Sequence, residues 1–391
     1  MTDRWPGSWS GRSSRRRVLG AGAAALVVGL AACGGDETVR PPDPAPATPG
    51  GTPVVVGPVP GFDDPQRWAG RTLRVGAWGG EVQAGLRTAV WDPFAAATGC
   101  AIEEATTDYS QLDAAVRAAT FFADVLVVDE IWAHTALDRR QITPFDLGAA
   151  AADLLPTLPA AAGSVPAYAY ALVGAYRRDA ITADPPASWS DWWDADRFPG
   201  RRAMARDPYG TFEFALLSDG VAADALYPLD GERAIARLAA ISGQIVDQWW
   251  DSGAQPVGWL GSSRVDFATA WHYRVVAGQQ DGLAIDFAWD HGLLHTDRWV
   301  VPAGVAEPEM AFDFLRYALS TPVQAALALT VPLGPVVGAA FERIDARTAT
   351  ALPTAPGTLG RLLRPDVAWW AAHEGEAVQR FNSWLLGAVG A

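Results

Sequence analysis

The sequence predicts an α/β fold built on a parallel sheet. From about Arg71, short apolar runs alternate with amphipathic stretches of helical period. The runs end at Gly, Pro or Asp, and the strand–helix–strand repetition places helices on the faces of the sheet. In such sheets a ligand site lies beyond the carboxyl ends of the strands.

Thr72–Ala77 reads as the first strand, ending at Trp78-Gly79-Gly80, and a helical pattern follows from Glu81 to Ala97, closed by Gly99. Ala101–Ala105 is a second strand, Gln111–Ala119 a helix, and Asp124–Val128 a third strand buried on both faces. Tyr168–Tyr176 alternates like a strand, and Ser188–Trp193 opens a short helix. Gly210–Leu217 and Asp230–Ile241 are helical, with Asp230 as N-cap. Val265–Trp271 and Leu283–Trp289 read as strands. Pro308–Leu319 and Pro322–Leu329 are helices, the second entered through Thr321-Pro322, and Val367–Leu386 is amphipathic and rich in Trp. Trp78 and the segment Asp129-Glu130-Ile131-Trp132 fall at strand ends, where a site belongs.

Composition narrows the function. The chain has 391 residues, half hydrophobic and 19% charged, enough for two domains. Its 30 basic residues are all Arg and stand against 44 acidic ones, a net charge of −14. That balance argues against nucleic acid as a partner, since such binding rests on a basic face. It permits a cationic ligand, although acidity also serves solubility. Two Cys cannot make a disulfide framework or a zinc ribbon. Cys100 reads as a small buried residue at a strand start.

The first 32 residues read as an export signal. Arg15 and Arg16 fit the twin-arginine pattern, and the apolar run from Val18 to Ala32 is short for a permanent membrane span. It ends in Leu30-Ala31-Ala32-Cys33-Gly34, which resembles the bacterial lipoprotein box. The resemblance implies lipidation of Cys33 and attachment to the outer face of the cell membrane. Removing residues 1–32, with Arg4, Arg12, Arg15, Arg16, Arg17 and Asp3, makes the remainder more acidic by four charges. Residues 33–68 then form a tether, carrying eight Pro between Gly34 and Pro60.

Six stretches in order carry a family resemblance: Leu73–Gly80, Asp92–Gly99, Ser188–Met204, Arg206–Gly220, Trp249–Pro256 and Phe314–Ala328. Together they resemble the periplasmic-type solute-binding proteins of bacterial ABC importers, in the polyamine (spermidine/putrescine) branch. The resemblance implies a two-lobed periplasmic binding protein fold of type II, with a ligand cleft between lobes joined by hinge strands. The first lobe is expected over 69–168 plus 299–345, and the second over 169–298 plus 346–391. It further implies a monomer without cofactor or catalytic activity, a permease and an ATPase as partners, and capture of a putrescine- or spermidine-like amine.

A polyamine site needs carboxylates for the ammonium groups and aromatic faces for the methylene chain. At family-matched positions the sequence offers Trp78, Trp132 and Trp271 as walls, Asp207 and Asp297 as amine anchors, and Glu81, Glu130 and Gln255 as further contacts. Each has a structural alternative: the Trp residues can be core, the Asp residues caps, and Gln255 a turn. The chain also departs from the family. Gly210 stands at a second acidic position, Glu81 and His295 at aromatic ones, and Arg274 where some amine binders place an acid. An Arg274 facing the cleft would welcome a carboxylate; otherwise it meets solvent, Glu81 or Glu130. The alternative ligand is therefore an amino-acid-like zwitterion. A metal-dependent enzyme using His291 and His295, four residues apart, is a weaker alternative because Gly292 interrupts the segment and no HExxH pattern is present. A receptor that senses without importing would use the same cleft.

Overall fold

The computed structural model describes residues 59, 62–181, 184–245 and 248–389. The export signal 1–32, Cys33 and most of the tether lie outside the described residues. The tether reading runs too far, however. Phe62 is buried against Phe94 and Tyr317, and the Trp68 indole donates to Asp313 at 2.8 Å, so residues 62–68 already belong to the body.

Eight strands form one sheet: β1 Thr72–Ala77, β2 Ala101–Thr106, β3 Val125–Asp129, β4 Ser164–Arg177, β5 Arg202–Ala205, β6 Trp249–Trp250, β7 Phe267–Trp271 and β8 Ile285–Val300. Their order is β2-β1-β3-β8-β4-β7-β5-β6. The long strands β4 and β8 run antiparallel through the middle. On one flank β1 pairs in parallel with β2 and β3, and on the other β5 pairs in parallel with β6 and β7.

Strand direction decides where the site falls. β3 is antiparallel to β8, and β7 is antiparallel to β4, so the two flanks run in opposite senses. Their carboxyl ends therefore face each other over the middle of β4 and β8. Asp129, ending β3, is in register with Asp297, which is in register with Tyr168. Trp271, ending β7, is in register with Leu172. Four residues of β4 separate these ends, about 13 Å at the usual rise per residue.

β8 is the main departure from the predicted elements. It continues from Ile285 to Val300 where a strand ending at Trp289 was expected. The chain passes His291 in the left-handed region (φ 56°) beside a register shift opposite Leu172–Gly174, then resumes pairing. The expected helix 81–97 is three pieces: α1 Gly80–Leu86, a wide turn Arg87–Trp91, and α2 Asp92–Thr98, closed by Gly99 in the left-handed region.

The helices that place site residues follow the parallel strands: α3 Glu130–Ala136 after β3, α4 Pro208–Ser218 after β5, and α5 His272–Gln280 after β7. Asp129 and Asp207 are their own helices' caps, accepting from the N–H groups of Trp132 and Tyr209 at 2.8 and 2.9 Å. The last helix, α6 Val367–Val389, packs against α3 of one flank and α4 of the other. A second-lobe assignment for all of 346–391 thus understates its contacts with the first flank.

Candidate functional site

The floor of the site comes from the two central strands. Tyr168 and Tyr170 share a face of β4, and His295 and Asp297 share a face of β8, because side chains alternate along a strand. Asp297 is 2% exposed and accepts hydrogen bonds from the Tyr168 and Tyr170 hydroxyls at 2.7 and 2.9 Å. Burial pushes its carboxyl up to about 7, with the nearby Asp129 charge adding, while the hydroxyls and the Trp78 indole N–H oppose the rise. The same burial, reinforced by Asp297, drives both tyrosine hydroxyls well above their ordinary range.

Aromatic rings close around this floor. Tyr170 stacks on His295 at 5.4 Å and meets Trp271 edge-on at 4.9 Å. Tyr209 and Trp271 meet the His295 ring edge-on at 4.8 and 5.1 Å. His295 is held neutral, lowered to about 3 by burial and by Arg364. A cation brought into such a box gains cation–π attraction and a buried carboxylate.

Further charge gathers at the strand ends. Burial raises Asp207 to about 7. Glu374 on α6 rises to about 8 through burial and then the charges of Asp129 and Asp207, so this helix brings a carboxyl to the strand ends of both flanks. Three arginines pair with other carboxylates. Arg298 and Arg364 both pair with Glu130, at 3.2 and 3.1 Å, and Arg274 faces Glu81 at 4.0 Å.

Of the residues expected from sequence, Trp78, Trp271 and Asp297 come together around Tyr170, and Asp207 lies among the strand-end carboxyls. The other four make further contacts of their own. Trp132 sits in an apolar cluster with Leu112, Leu126 and Val128, against which Trp78 also packs. Glu130 is neutralised by two arginines and is not available as an amine contact. The Gln255 side-chain oxygen accepts from the N–H groups of Asp251 and Ser252 and holds their turn. Glu81 is exposed, faces Arg274 at 4.0 Å and, like Asp297, raises the Tyr273 hydroxyl. The residues that sequence missed are Tyr168, Tyr170, Tyr209, Tyr273 and Glu374. For the first two, the two-residue spacing on a long alternating strand was the available signal.

The metal reading fails on geometry. His291 and His295 lie on a strand, not a helix; the first is exposed and the second is locked in the aromatic box. Among the described residues no group of three metal-capable side chains occurs. His272, beside Trp271, is a structural link. Its Nδ1 accepts from the Ala171 N–H at 3.0 Å, which leaves Nε2 to donate to the Pro332 carbonyl at 2.8 Å. Burial lowers it to about 4.

Two α/β flanks whose strand ends converge on an enclosed aromatic and acidic box define a two-lobed solute-binding protein. Over residues 89–354 the chain matches the bacterial extracellular solute-binding proteins, and it belongs to that family. A gamma-aminobutyric acid-binding protein of Pseudomonas aeruginosa is 34% identical over 225 residues, 56% of this chain and 63% of that protein. This chain thus spans under two thirds of that relative's length. An ABC transporter substrate-binding protein from Bradyrhizobium japonicum superposes with a TM-score of 0.76 at 32% identity, covering 81% of this chain and 99% of the other. A GABA receptor superposes at 0.74 with 30% identity, covering 80% and 97%. These relatives are solute-binding proteins, not enzymes. A spermidine/putrescine substrate-binding protein of Streptococcus pneumoniae, at 15% identity and a TM-score of 0.66 over 80% of this chain and 99% of that one, shares the fold alone. The polyamine branch expected from sequence is therefore not where the similar sequences lie. No helix among the described residues is long and apolar enough to cross a membrane.

Proposed function

We propose that this chain is the extracytoplasmic solute-binding component of an ABC importer, and that its ligand is an amino-acid-like zwitterion of the γ-aminobutyrate kind. The observation that carries the reading is the buried Asp297 carboxyl in its aromatic box. The amine of the ligand pairs with Asp297 under Trp78, Tyr170 and Trp271, and the desolvated carboxyl becomes fully ionised once a cation sits beside it. The relatives that bind γ-aminobutyrate favour this ligand over a polyamine, and so does the arginine content of the strand ends, which a polycation would meet as repulsion.

Ligand contacts to both flanks favour closure about β4 and β8, and the closed form is the one delivered to a permease and its ATPase. Lipidation of Cys33 would hold the monomer at the outer face of the membrane.

A thermal-shift panel tests the reading. Ligand at a hundredfold excess over Kd stabilises the folded state by about 2.7 kcal/mol. A rise in Tm with γ-aminobutyrate and little with putrescine supports the zwitterion. A rise with putrescine alone transfers the site to diamines.

A further inference from the structure

We infer that Glu213 is a positioning residue: it sets the Tyr209 wall of the aromatic box and couples that wall to the carboxyl-terminal helix α6. The inference rests on the reading of the box as the ligand site, and it gives a role to a wholly buried acid outside the box.

The packing of α4 does not itself explain a carboxylate at this position. The neighbours Phe212, Phe214, Ala215, Leu216 and Leu217 are buried and apolar, and Glu213 is 0% exposed among them. Burying an ionisable group costs free energy unless donors meet it. Here its Oε2 accepts from the Gly210 N–H at 2.9 Å, and its Oε1 accepts from the Tyr227 hydroxyl at 2.6 Å and the Trp370 indole N–H at 2.8 Å. Two oxygens with about four lone-pair sites suit a carboxylate to join a turn, a loop and a second helix at one point. Burial raises the carboxyl above its ordinary range, and these donors oppose the rise.

Both oxygens act on Tyr209. The first turn of α4 is not helical: Tyr209 (φ −66°, ψ 116°) and Gly210 (φ 87°, ψ −42°) approach a type II turn, which requires a positive φ at its second central residue. The peptide between them is flipped out of the helical register, and Glu213 supplies the acceptor for its N–H. Asp207 accepts from the preceding N–H, that of Tyr209, at 2.9 Å, so side chains hold the backbone on both sides of this one ring. The second route runs through α6. Trp370, tied to Glu213 by its N–H, meets the Tyr209 ring edge-on at 4.9 Å, and Tyr209 in turn meets His295 edge-on at 4.8 Å. Because α6 also packs against α3 of the opposite flank, Glu213 joins the box wall of one flank to the helix that touches both.

The test combines carbon–proton NMR of the histidine rings with calorimetry of γ-aminobutyrate binding, on the full-length protein and its Glu213→Leu, Glu213→Asp, Glu213→Gln and Tyr209→Leu variants. In the ligand-free protein the His295 ring lies against Tyr209, so Glu213→Leu should shift its resonance as Tyr209→Leu does. Glu213→Asp, one methylene too short to reach Gly210 and Trp370 together, should shift it in the same direction and covers the case in which the leucine variant does not fold. Glu213→Gln, whose amide oxygen still accepts from Gly210, should restore most of the parent position and affinity. Glu213→Leu should weaken γ-aminobutyrate by about tenfold, the scale of losing one aromatic contact, and should weaken it no further in the Tyr209→Leu background. An unshifted His295 resonance in a folded Glu213→Leu or Glu213→Asp variant overturns the assignment. So does equal weakening by Glu213→Leu with and without Tyr209→Leu, because a merely structural role does not pass through Tyr209. If the unaltered protein does not bind γ-aminobutyrate, the zwitterion reading falls, and the His295 resonance still decides the role of Glu213.

Discussion

Replacing Asp297 by Asn separates binding from stability. The carboxyl stands at about 7 in the folded protein against an ordinary 3.8, and burial is the main cause. A difference of about 3 units corresponds to roughly 4 kcal/mol of unfavourable free energy for the ionised form. The sign follows from proton linkage. Between about pH 4 and 7 the folded state holds a proton that the unfolded chain has released, so this group lowers stability as pH rises through that window. Above it the penalty is complete, and below pH 4 it vanishes. Asn carries no charge and still accepts a hydrogen bond from a tyrosine hydroxyl. Ligand-free Asp297→Asn should therefore match the parent near pH 4 and exceed it at pH 8 by a few kcal/mol, with Asp207 and Glu374 leaving a residual slope of the same sign. The same variant should lose about 3–5 kcal/mol of binding, because an ammonium would be buried without its partner. Denaturant titration at pH 4.5 and 8, with calorimetry at pH 8, measures both. A variant that binds like the parent, with an unchanged pH dependence of stability, refutes the reasoning.

Binding should weaken on acidification below about pH 7, by up to tenfold per pH unit for each carboxylate that must give up a proton, and a flat calorimetric profile from pH 8 to 5 would contradict this. His272→Phe leaves the Ala171 N–H and the Pro332 carbonyl without their partner and should cost about 2–4 kcal/mol, read by denaturant midpoint; a neutral effect would remove the link. Gly210→Ala places a Cβ 2.6 Å from Leu172 Cδ2 at a residue with φ 87°, so a loss of about 2–4 kcal/mol is expected, and an unchanged midpoint would show that the α4 entry relaxes freely.

The alternation of strands and helices was legible because each parallel strand ends at a Gly, Asp or Trp before a helix begins. Strand-end reasoning therefore reached Trp78 and Trp271, whereas Asp207 came from the family resemblance. What stayed hidden depends on register. β4 is buried along almost its whole length, so its pattern does not announce which face carries Tyr168 and Tyr170. Their meeting with Asp297 follows only once β4 and β8 are aligned. The contacts of Trp132 and Glu130 stayed hidden for a local reason. The Asp129 cap turns the chain into α3 at once, so position after the strand does not set direction. Glu374 arrives from α6, some 240 residues after Asp129, and no local motif marks a helix that reaches both flanks. The polyamine expectation came from features that the fold shares widely, whereas Arg274 and Gly210 already pointed away from a pure polycation.

The central claim is that the box takes an amine bearing a carboxylate. Its most direct test is calorimetric titration of the ligand-stripped protein with γ-aminobutyrate and with putrescine at pH 8. The account predicts saturable one-to-one binding of γ-aminobutyrate at micromolar or tighter, about −8 kcal/mol or better, with putrescine at least tenfold weaker. Tight binding of putrescine or spermidine with silence toward γ-aminobutyrate and related amino acids would contradict it.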